Sequence, residues 1–350
     1  MKVAVIEGSR ADHGTCQAVA DTLKCKIYSA EDVSKYSADN FDLVLVAGDR
    51  FEILRATVEL FIAGCAIGHI SGGDITEGSQ DDSMRHAITK LSHLHFVTSD
   101  ESARRVIQMG EEPWRVHNVG YPGADNLELI PLVAAKHLVA IDWDDFLLVV
   151  WHPDTLSDPT GNLLQVGNLT GALTEAGIKC LVVGPNKDVG HEIIGDYLKN
   201  WCEATGNRFV DNLPRRTYLT LLKHCQCLVG NSSSGFFEAP SFGTSVVNIG
   251  DRQKGRAVPP NIISCGIDVD EIVHCIYNAP TPLTNSNPYG DGLAAQRIAK
   301  VISEIKDPKQ LLKKRFIDVA DLPVWKQPSH PCRDGFPGAK STRKARVGYA

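Results

Sequence analysis

Long hydrophobic runs are missing from this chain of 350 residues. No stretch approaches the roughly 20 consecutive apolar residues that a helical membrane span requires, which excludes an integral helical membrane protein. An excess of positive charge is missing too. With 36 Lys and Arg against 42 Asp and Glu, the formal net charge is −6. A general binder of nucleic acid or of a membrane surface needs a basic field, so both classes are disfavoured. Local binding of an anionic metabolite stays open. The 10 cysteines have no C-x-x-C pair and no zinc-ligand spacing. Several sit inside apolar runs, as Cys180 does before Leu181-Val182-Val183. They read as buried, reduced thiols. The first apolar run, Val3–Ile6, is followed too soon by Glu7 and Arg10 to serve as a signal peptide. A cytoplasmic protein is expected.

What is present is a rhythm. Short apolar runs alternate with helix-length amphipathic stretches. The runs are Val3–Ile6, Leu43–Ala47, Ala66–Ile70, Leu94–Val97, Phe146–Trp151, Lys179–Val183, Arg208–Val210, Cys227–Val229 and Val246–Ile249. Most are β-branched and continuous rather than alternating, as parallel strands buried on both faces must be. The alternation predicts right-handed βαβ units and an α/β fold of doubly wound sheets. The rhythm pauses between residues 130 and 145 and restarts at Phe146. This places a domain boundary there and predicts two Rossmann-like domains, 1–140 and 141–302. From about Lys309 the chain turns basic and Pro-containing, so 303–350 reads as a helix end followed by a solvated, partly disordered tail. Only about one strand and one or two helices fit between Ile6 and Leu43, so the first domain is short.

Ligands of open α/β sheets bind beyond the carboxyl ends of the strands. The residues that follow each run are therefore the candidates: Glu7-Gly8-Ser9-Arg10, Gly48-Asp49-Arg50, Ser71-Gly72-Gly73-Asp74, His152-Pro153, Gly184-Pro185-Asn186 and Gly230-Asn231-Ser232-Ser233-Ser234-Gly235. In the last, a helix opening at Phe236 would offer N–H groups to a diphosphate, with the serine hydroxyls as further donors. A serine N-cap without ligand fits the same residues. Glu238 suits ribose hydroxyls or the helix dipole. Met84, Ile88 and Leu91 form a stripe at helical spacing, and Asp81 shares that face while Asp82 is turned about 100° away. Asp81 can pair with Arg85 one turn on, or serve the crevice. Asp49 can pair with Arg50, or point into the crevice. His152 is either a strand-capping core histidine or a catalytic one. Gly250-Asp251-Arg252-Gln253-Lys254-Gly255-Arg256 brings three cations together, as a solvated loop or as a phosphate site.

These segments, together with Asp81–His93 and Asn287–Gly292, resemble the hydrolysing UDP-N-acetylglucosamine 2-epimerases of the sialic-acid type, and cover most of residues 1–302 in order. The resemblance implies a glycosyltransferase-B-like fold with the active site in the interdomain cleft. It implies conversion of UDP-N-acetylglucosamine and water to N-acetylmannosamine and UDP, by elimination and then hydration. It implies no metal or other cofactor, a UDP-sugar as the ligand, and a homo-oligomer, dimer or tetramer. By family position Asp49 and Asp81 look like the acid/base carboxylates, and His152 is a third catalytic residue, at the diphosphate or sugar. Arg10, Ser71, Asp74, Arg85, Asn186, Asn231, Ser232, Ser233, Glu238 and Arg252 bind the substrate. Where the family often carries a glutamate this chain has Ser71, and its nearest acids are Asp74 and Glu77. Serine is no base near neutral pH, so Asp74 takes that place or the mechanism differs. Four other readings share the fold: the same chemistry on a UDP-2,4-diacetamido-trideoxyhexose, a retaining glycosyltransferase, a UDP-sugar-binding homologue without turnover, and a non-hydrolysing epimerase, against which Gly48-Asp49-Arg50 and the Asp81–His93 segment follow the hydrolysing pattern.

Overall fold

A computed structural model describes residues 1–8, 12–35, 40–280 and 287–318. Two six-stranded, wholly parallel sheets organise them. The first contains β1 (Val3–Glu7), β2 (Lys26–Ser29), β3 (Leu43–Ala47), β4 (Ile67–Ile70), β5 (Leu94–Val97) and β6 (Val116–Asn118), in the order β2-β1-β3-β4-β5-β6. The second contains β7 (Leu147–Val150), β8 (Cys180–Val183), β9 (Arg208–Val210), β10 (Cys227–Gly230), β11 (Val246–Ile249) and β12 (Ile262–Cys265), in the order β12-β11-β10-β7-β8-β9. Counted from its own first strand, the second sheet runs 3-2-1-4-5-6, the dinucleotide-binding order, and the first runs 2-1-3-4-5-6.

The helices are α1 (His13–Leu23), α2 (Phe51–Ile62), α3 (Asp81–Leu91), α4 (Asp100–Gln108), α5 (Leu132–Leu138), α6 (Pro159–Ala176), α7 (His191–Thr205), α8 (Arg215–His224), α9 (Ser234–Phe237), α10 (Ala239–Phe242), α11 (Val269–Tyr277) and α12 (Ala294–Glu304). Continuous apolar strands need cover on both faces, and they get it. Leu43 and Leu45 of β3 pack with α1 and α12, while Val44 and Val46 pack with α2 and α3. Leu147 and Val149 of β7 face α6, α7 and α11; Leu148 and Val150 face α5 and α8.

The nine expected strands are all present. Three further strands carry no apolar run of their own, β2, which fills the room for one strand between Ile6 and Leu43, and β6 and β12, which were not anticipated; all three are sheet edges. Their residues are half-buried or exposed, so no continuous apolar run marks them. The expected domain limits need correction at both crossings. α5 carries Ala135 and Val139 into the core of the second sheet, so the chain leaves the first lobe before residue 131, not at 140. The pause in the strand rhythm was this short helix. α12 does not end the second lobe: Ala295, Ile298 and Ile302 join the core of the first. The two crossings are tied together, since the Asp125 carboxylate accepts the N–H groups of Ala294 and Ala295, the former at 3.0 Å. The solvated tail also starts later than Lys309. Buried Arg115 donates to the carbonyls of Leu311 and Lys313, both at 2.9 Å, and Lys314 pairs with buried Glu111 at 2.8 Å. Burial opposes the Glu111 charge, yet His95, Lys314 and Lys90 together hold its carboxyl at about 2. The later part of the tail lies outside the described residues.

Candidate active site

In an open α/β sheet the crevice forms where strand order reverses. In the first sheet that point lies between β1 and β3, in the second between β7 and β10. Both are finished by a glycine at positive φ, a conformation that other residues rarely adopt. Gly48 follows β3 at φ 94°, and a Cβ there would stand 2.7 Å from an Asp12 carboxylate oxygen. Gly230 ends β10 at φ 143°, and a Cβ would stand 2.0 Å from the Val150 carbonyl oxygen. The next residues, Asp49 and Asn231, are thereby turned out of the sheets.

A polar cleft of about 130 Å³ lies between these ends. Of the expected site residues it brings together Asp49, Ser71, Asp74, Asp81, Arg85, Asn186, Ser233 and Arg252. His152, Asn231, Ser232 and Glu238 are not among the residues that line it. Arg10 lies outside the described residues.

Asp49 and Asp81 share the cleft in opposite electrostatic conditions. Asp49 accepts from Arg85 Nε at 3.0 Å and pairs with Arg85 Nη2. Burial alone would raise its pKa; Arg85, with Arg256 and Arg252 beyond it, wins and holds Asp49 below the usual carboxylate range. Asp81, by contrast, is pushed up to about 6, first by burial and then by the neighbouring Asp49 charge. The alternative pairings considered for these acids are not formed. Arg50 turns away from Asp49 to Asp188 and Glu52. Arg85 turns away from Asp81: its remaining donors go to the Asp74 carbonyl (2.9 Å), Asp82 (3.3 Å) and Thr76 Oγ1 (3.1 Å). All five guanidinium hydrogens thus have protein acceptors. Arg85 orients Asp49 and has no donor left for a ligand. Asp82 is drawn to the backbone N–H of Thr76 at 2.6 Å.

Ser71 sits at φ 68°, a left-handed conformation that serine seldom adopts, and its N–H donates to the Phe96 carbonyl at 2.9 Å. Asp74 is buried and committed. One carboxylate oxygen accepts from Thr98 and Ser102, each at 2.7 Å, and the other meets Arg256 at 3.1 Å. Burial pushes the Arg256 pKa down against the pull of Asp74, and its guanidinium lies 4.6 Å over the Phe237 ring. Beneath Gly48, fully buried His69 donates from Nε2 to the Gly48 carbonyl at 3.2 Å. Burial drives its pKa to about 3, so it is neutral and buttresses the end of β3.

The second lobe contributes a hydrogen-bonded frame. The Asn231 side chain straddles the switch point, accepting from His152 N–H at 2.8 Å and donating to His152 C=O at 2.9 Å. His152 Nδ1 accepts the Asn186 N–H at 3.0 Å. The Asn231 carbonyl accepts from Gln253 at 3.0 Å and Arg252 at 3.4 Å. The helix expected to open at Phe236 begins earlier, at Ser234, and breaks at Glu238 into α9 and α10. Ser232 Oγ accepts the Ser234 N–H at 3.3 Å, whereas Ser233 makes no capping bond and faces the cleft. Glu238 is buried, which raises its pKa, and is paired with Arg215 at 3.3 Å.

Asp188, Gln253, Tyr121 and Phe237 were not anticipated as site residues. For Asp188 a signal existed, two residues past Asn186 on the loop after β8. Tyr121 and Phe237 stack at 4.3 Å, but only the meeting of the lobes brings them together. Among the described residues, no group of three or more His, Cys, Asp or Glu is placed to hold a metal ion, and no helix is long and apolar enough to cross a membrane.

Two Rossmann-like lobes whose crevices face each other across one cleft define the glycosyltransferase-B-like architecture, and solved structures agree. UDP-GlcNAc 2-epimerase from Neisseria meningitidis bound to UDP-GlcNAc superposes with a TM-score of 0.69 at 15% identity, over 87% of this chain and 100% of that one. The Methanocaldococcus jannaschii UDP-GlcNAc 2-epimerase in complex with UDP-GlcNAc and UDP gives 0.71 at 13% identity, over 87% and 99%. Residues 11–303 match the UDP-N-acetylglucosamine 2-epimerase family, and the chain belongs to it. It is 32% identical to the polysialic acid biosynthesis protein P7 of Escherichia coli over 82% of this chain and 76% of that protein. It is 35% identical to the GDP/UDP-N,N'-diacetylbacillosamine 2-epimerase (hydrolyzing) of Campylobacter jejuni over 66% and 62%.

Proposed function

We propose that this chain is a hydrolysing 2-epimerase that converts UDP-N-acetylglucosamine and water to N-acetylmannosamine and UDP. The observation that carries this reading is the pair of carboxylates, Asp49 and Asp81, held in one cleft at opposite ends of the carboxyl range. Two titratable groups pushed apart by their surroundings are the signature of divided acid/base work. The C2 proton of the sugar is not acidic until cleavage of the C1–O bond builds positive charge on the ring. Asp81, near pKa 6, is suited to take that proton at neutral pH. Asp49, held anionic, opposes the ring charge. The electrons of the C2–H bond form the glycal double bond, and the C1–O pair leaves with UDP. Water then adds hydroxyl to C1 and a proton to the opposite face of C2. Arg252, Ser233 and the Asn186 loop receive the departing diphosphate. His152 and Asn231 hold that loop and wall in register. Ser71 lines the cleft without taking the place of a base, and committed Asp74 serves by holding Arg256.

The same chemistry on a UDP-2,4-diacetamido-trideoxyhexose is the second reading. It is favoured by the names of two relatives, the Campylobacter protein and a Legionella pneumophila UDP-N,N'-diacetylbacillosamine 2-epimerase (hydrolyzing), 30% identical over 80% of this chain. The test is proton NMR of the protein with UDP-N-acetylglucosamine in D2O. N-acetylmannosamine deuterated at C2, with free UDP, is the expected product. Intact substrate beside turnover of the diacetamido analogue selects the second reading. Return of UDP-N-acetylmannosamine without free UDP sinks the hydrolysing mechanism.

A further inference from the structure

Asp188 is a buried residue that this mechanism leaves unused. It lies on the loop between β8 and α7, in the second lobe, with its side chain 6% exposed. From there it reaches both sides of the cleft. Arg50, next to Asp49 in the first lobe, donates to Asp188 Oδ1, and Arg252 Nη2 stands 3.6 Å from Oδ2. The two halves of this triad are not equal. The Arg50 contact is a hydrogen bond. The Arg252 contact is longer than one. Asp188 Oδ2 and Arg252 Nε are buried, and neither has a hydrogen-bond partner in the structure. Arg252 is only partly buried and also donates to the Asn231 carbonyl at 3.4 Å, but a buried Nε and a buried carboxylate oxygen without partners are costly unless something else completes them. Both arginines line the cleft.

We infer that Asp188 is a positioning residue that stands in for the diphosphate of the substrate. When the cleft is empty, its carboxylate balances Arg50 and Arg252. When a diphosphate arrives, Arg252 is handed over, and Arg50 stays with Asp188 as the tie between lobes. When the product must leave, Asp188 competes for Arg252 and speeds its release. The loose contact is the one designed to exchange; the short one is kept. This inference rests on the proposed UDP-sugar reading only for the identity of the anion.

The test is calorimetric titration of UDP, and separately of inorganic pyrophosphate, into the wild type, Asp188→Asn and Asp188→Glu. Removing the competing charge is expected to tighten both ligands about fivefold to tenfold in Asp188→Asn, by the scale of one charge contact in a cleft. Turnover is expected to fall, with stronger inhibition by added UDP. Asp188→Glu keeps the charge and should stay within about twofold of the wild type. A residue that only holds the fold together would lose affinity on mutation, so weaker or unchanged binding in Asp188→Asn overturns the inference. Equal tightening in Asp188→Glu overturns it as well, because charge would not be the cause. If Asp188→Asn does not fold, Asp188→Ser supplies the same removal of charge in a smaller side chain. Should the wild type bind pyrophosphate but not UDP, the nucleotide reading fails while the pyrophosphate series still decides the role of Asp188.

Discussion

The two lobes meet the cleft with different chemistry on the same scaffold. Each offers the strand ends at its switch point, and each uses one glycine to turn the next residue outward. The first lobe delivers charge: Asp49, Asp74, Asp81 and Arg85. The second delivers a neutral frame of amides and hydroxyls, Asn231, Asn186, Ser233 and Gln253, carrying the cations Arg252 and Arg256 at its edge. Proton transfer needs groups whose charge can change and whose pKa values are set by neighbours. Holding a leaving group needs donors that do not change. The division between lobes separates these two demands.

The comparison breaks most sharply at Asp81. Asp81→Asn is expected to lower turnover by about 10²–10⁴-fold while UDP still binds within about twofold, checked by product NMR and calorimetry. An equal collapse of UDP affinity would mean the first lobe holds the leaving group as well. Arg252→Gln should do the reverse. We expect UDP affinity to fall about tenfold, with a smaller loss of the chemical step in single-turnover kinetics at saturating substrate. The pH profile sharpens the first lobe's part. With Asp81 as base near pKa 6, kcat/KM should fall about tenfold per unit of pH below about 6 and flatten above it.

The same group has a stability signature. Its folded pKa is raised above the ordinary value of 3.8, so the native state binds the extra proton between about pH 4 and 6. Stability must therefore decline as pH rises through that window. Asp81→Asn is expected to stabilise the fold at pH 7.5, a gain that vanishes near pH 4 in thermal melts. The smallest effect is at Ser71. Ser71→Gly relieves a left-handed serine and should raise stability by about 1 kcal/mol in urea titrations.

Much of this was legible in the sequence because both sheets are central and buried. Runs such as Leu43–Ala47 and Leu147–Val150 are apolar at every position, and the residues following them are the cleft. Edge strands such as Lys26–Ser29 have one solvated side and no such mark. The place of Asp81 on α3 followed from helical spacing, but the partner of Asp49 did not. Arg85 is 36 positions away from it, and only folding shows that one arginine can place all five of its hydrogens on four acceptors at once. Asp188 and Phe237 depend on the approach of two lobes, which no local pattern encodes. Sequence order is not spatial order here: α5 packs into the core of the second sheet and α12 into that of the first, and no local pattern marks either crossing.

The return of α12 also dictates how the molecule can be cut. A fragment ending near residue 130 carries all six strands of the first sheet but lacks the helix that supplies Ala295, Ile298 and Ile302 to its core. The complementary fragment carries that helix with its apolar stripe bare. Neither piece is a self-sufficient domain, and each holds what the other lacks. The lobes are thus interlocked like a split reporter: co-expressed halves should reassemble through α12, guided by Asp125 to the amides of Ala294 and Ala295.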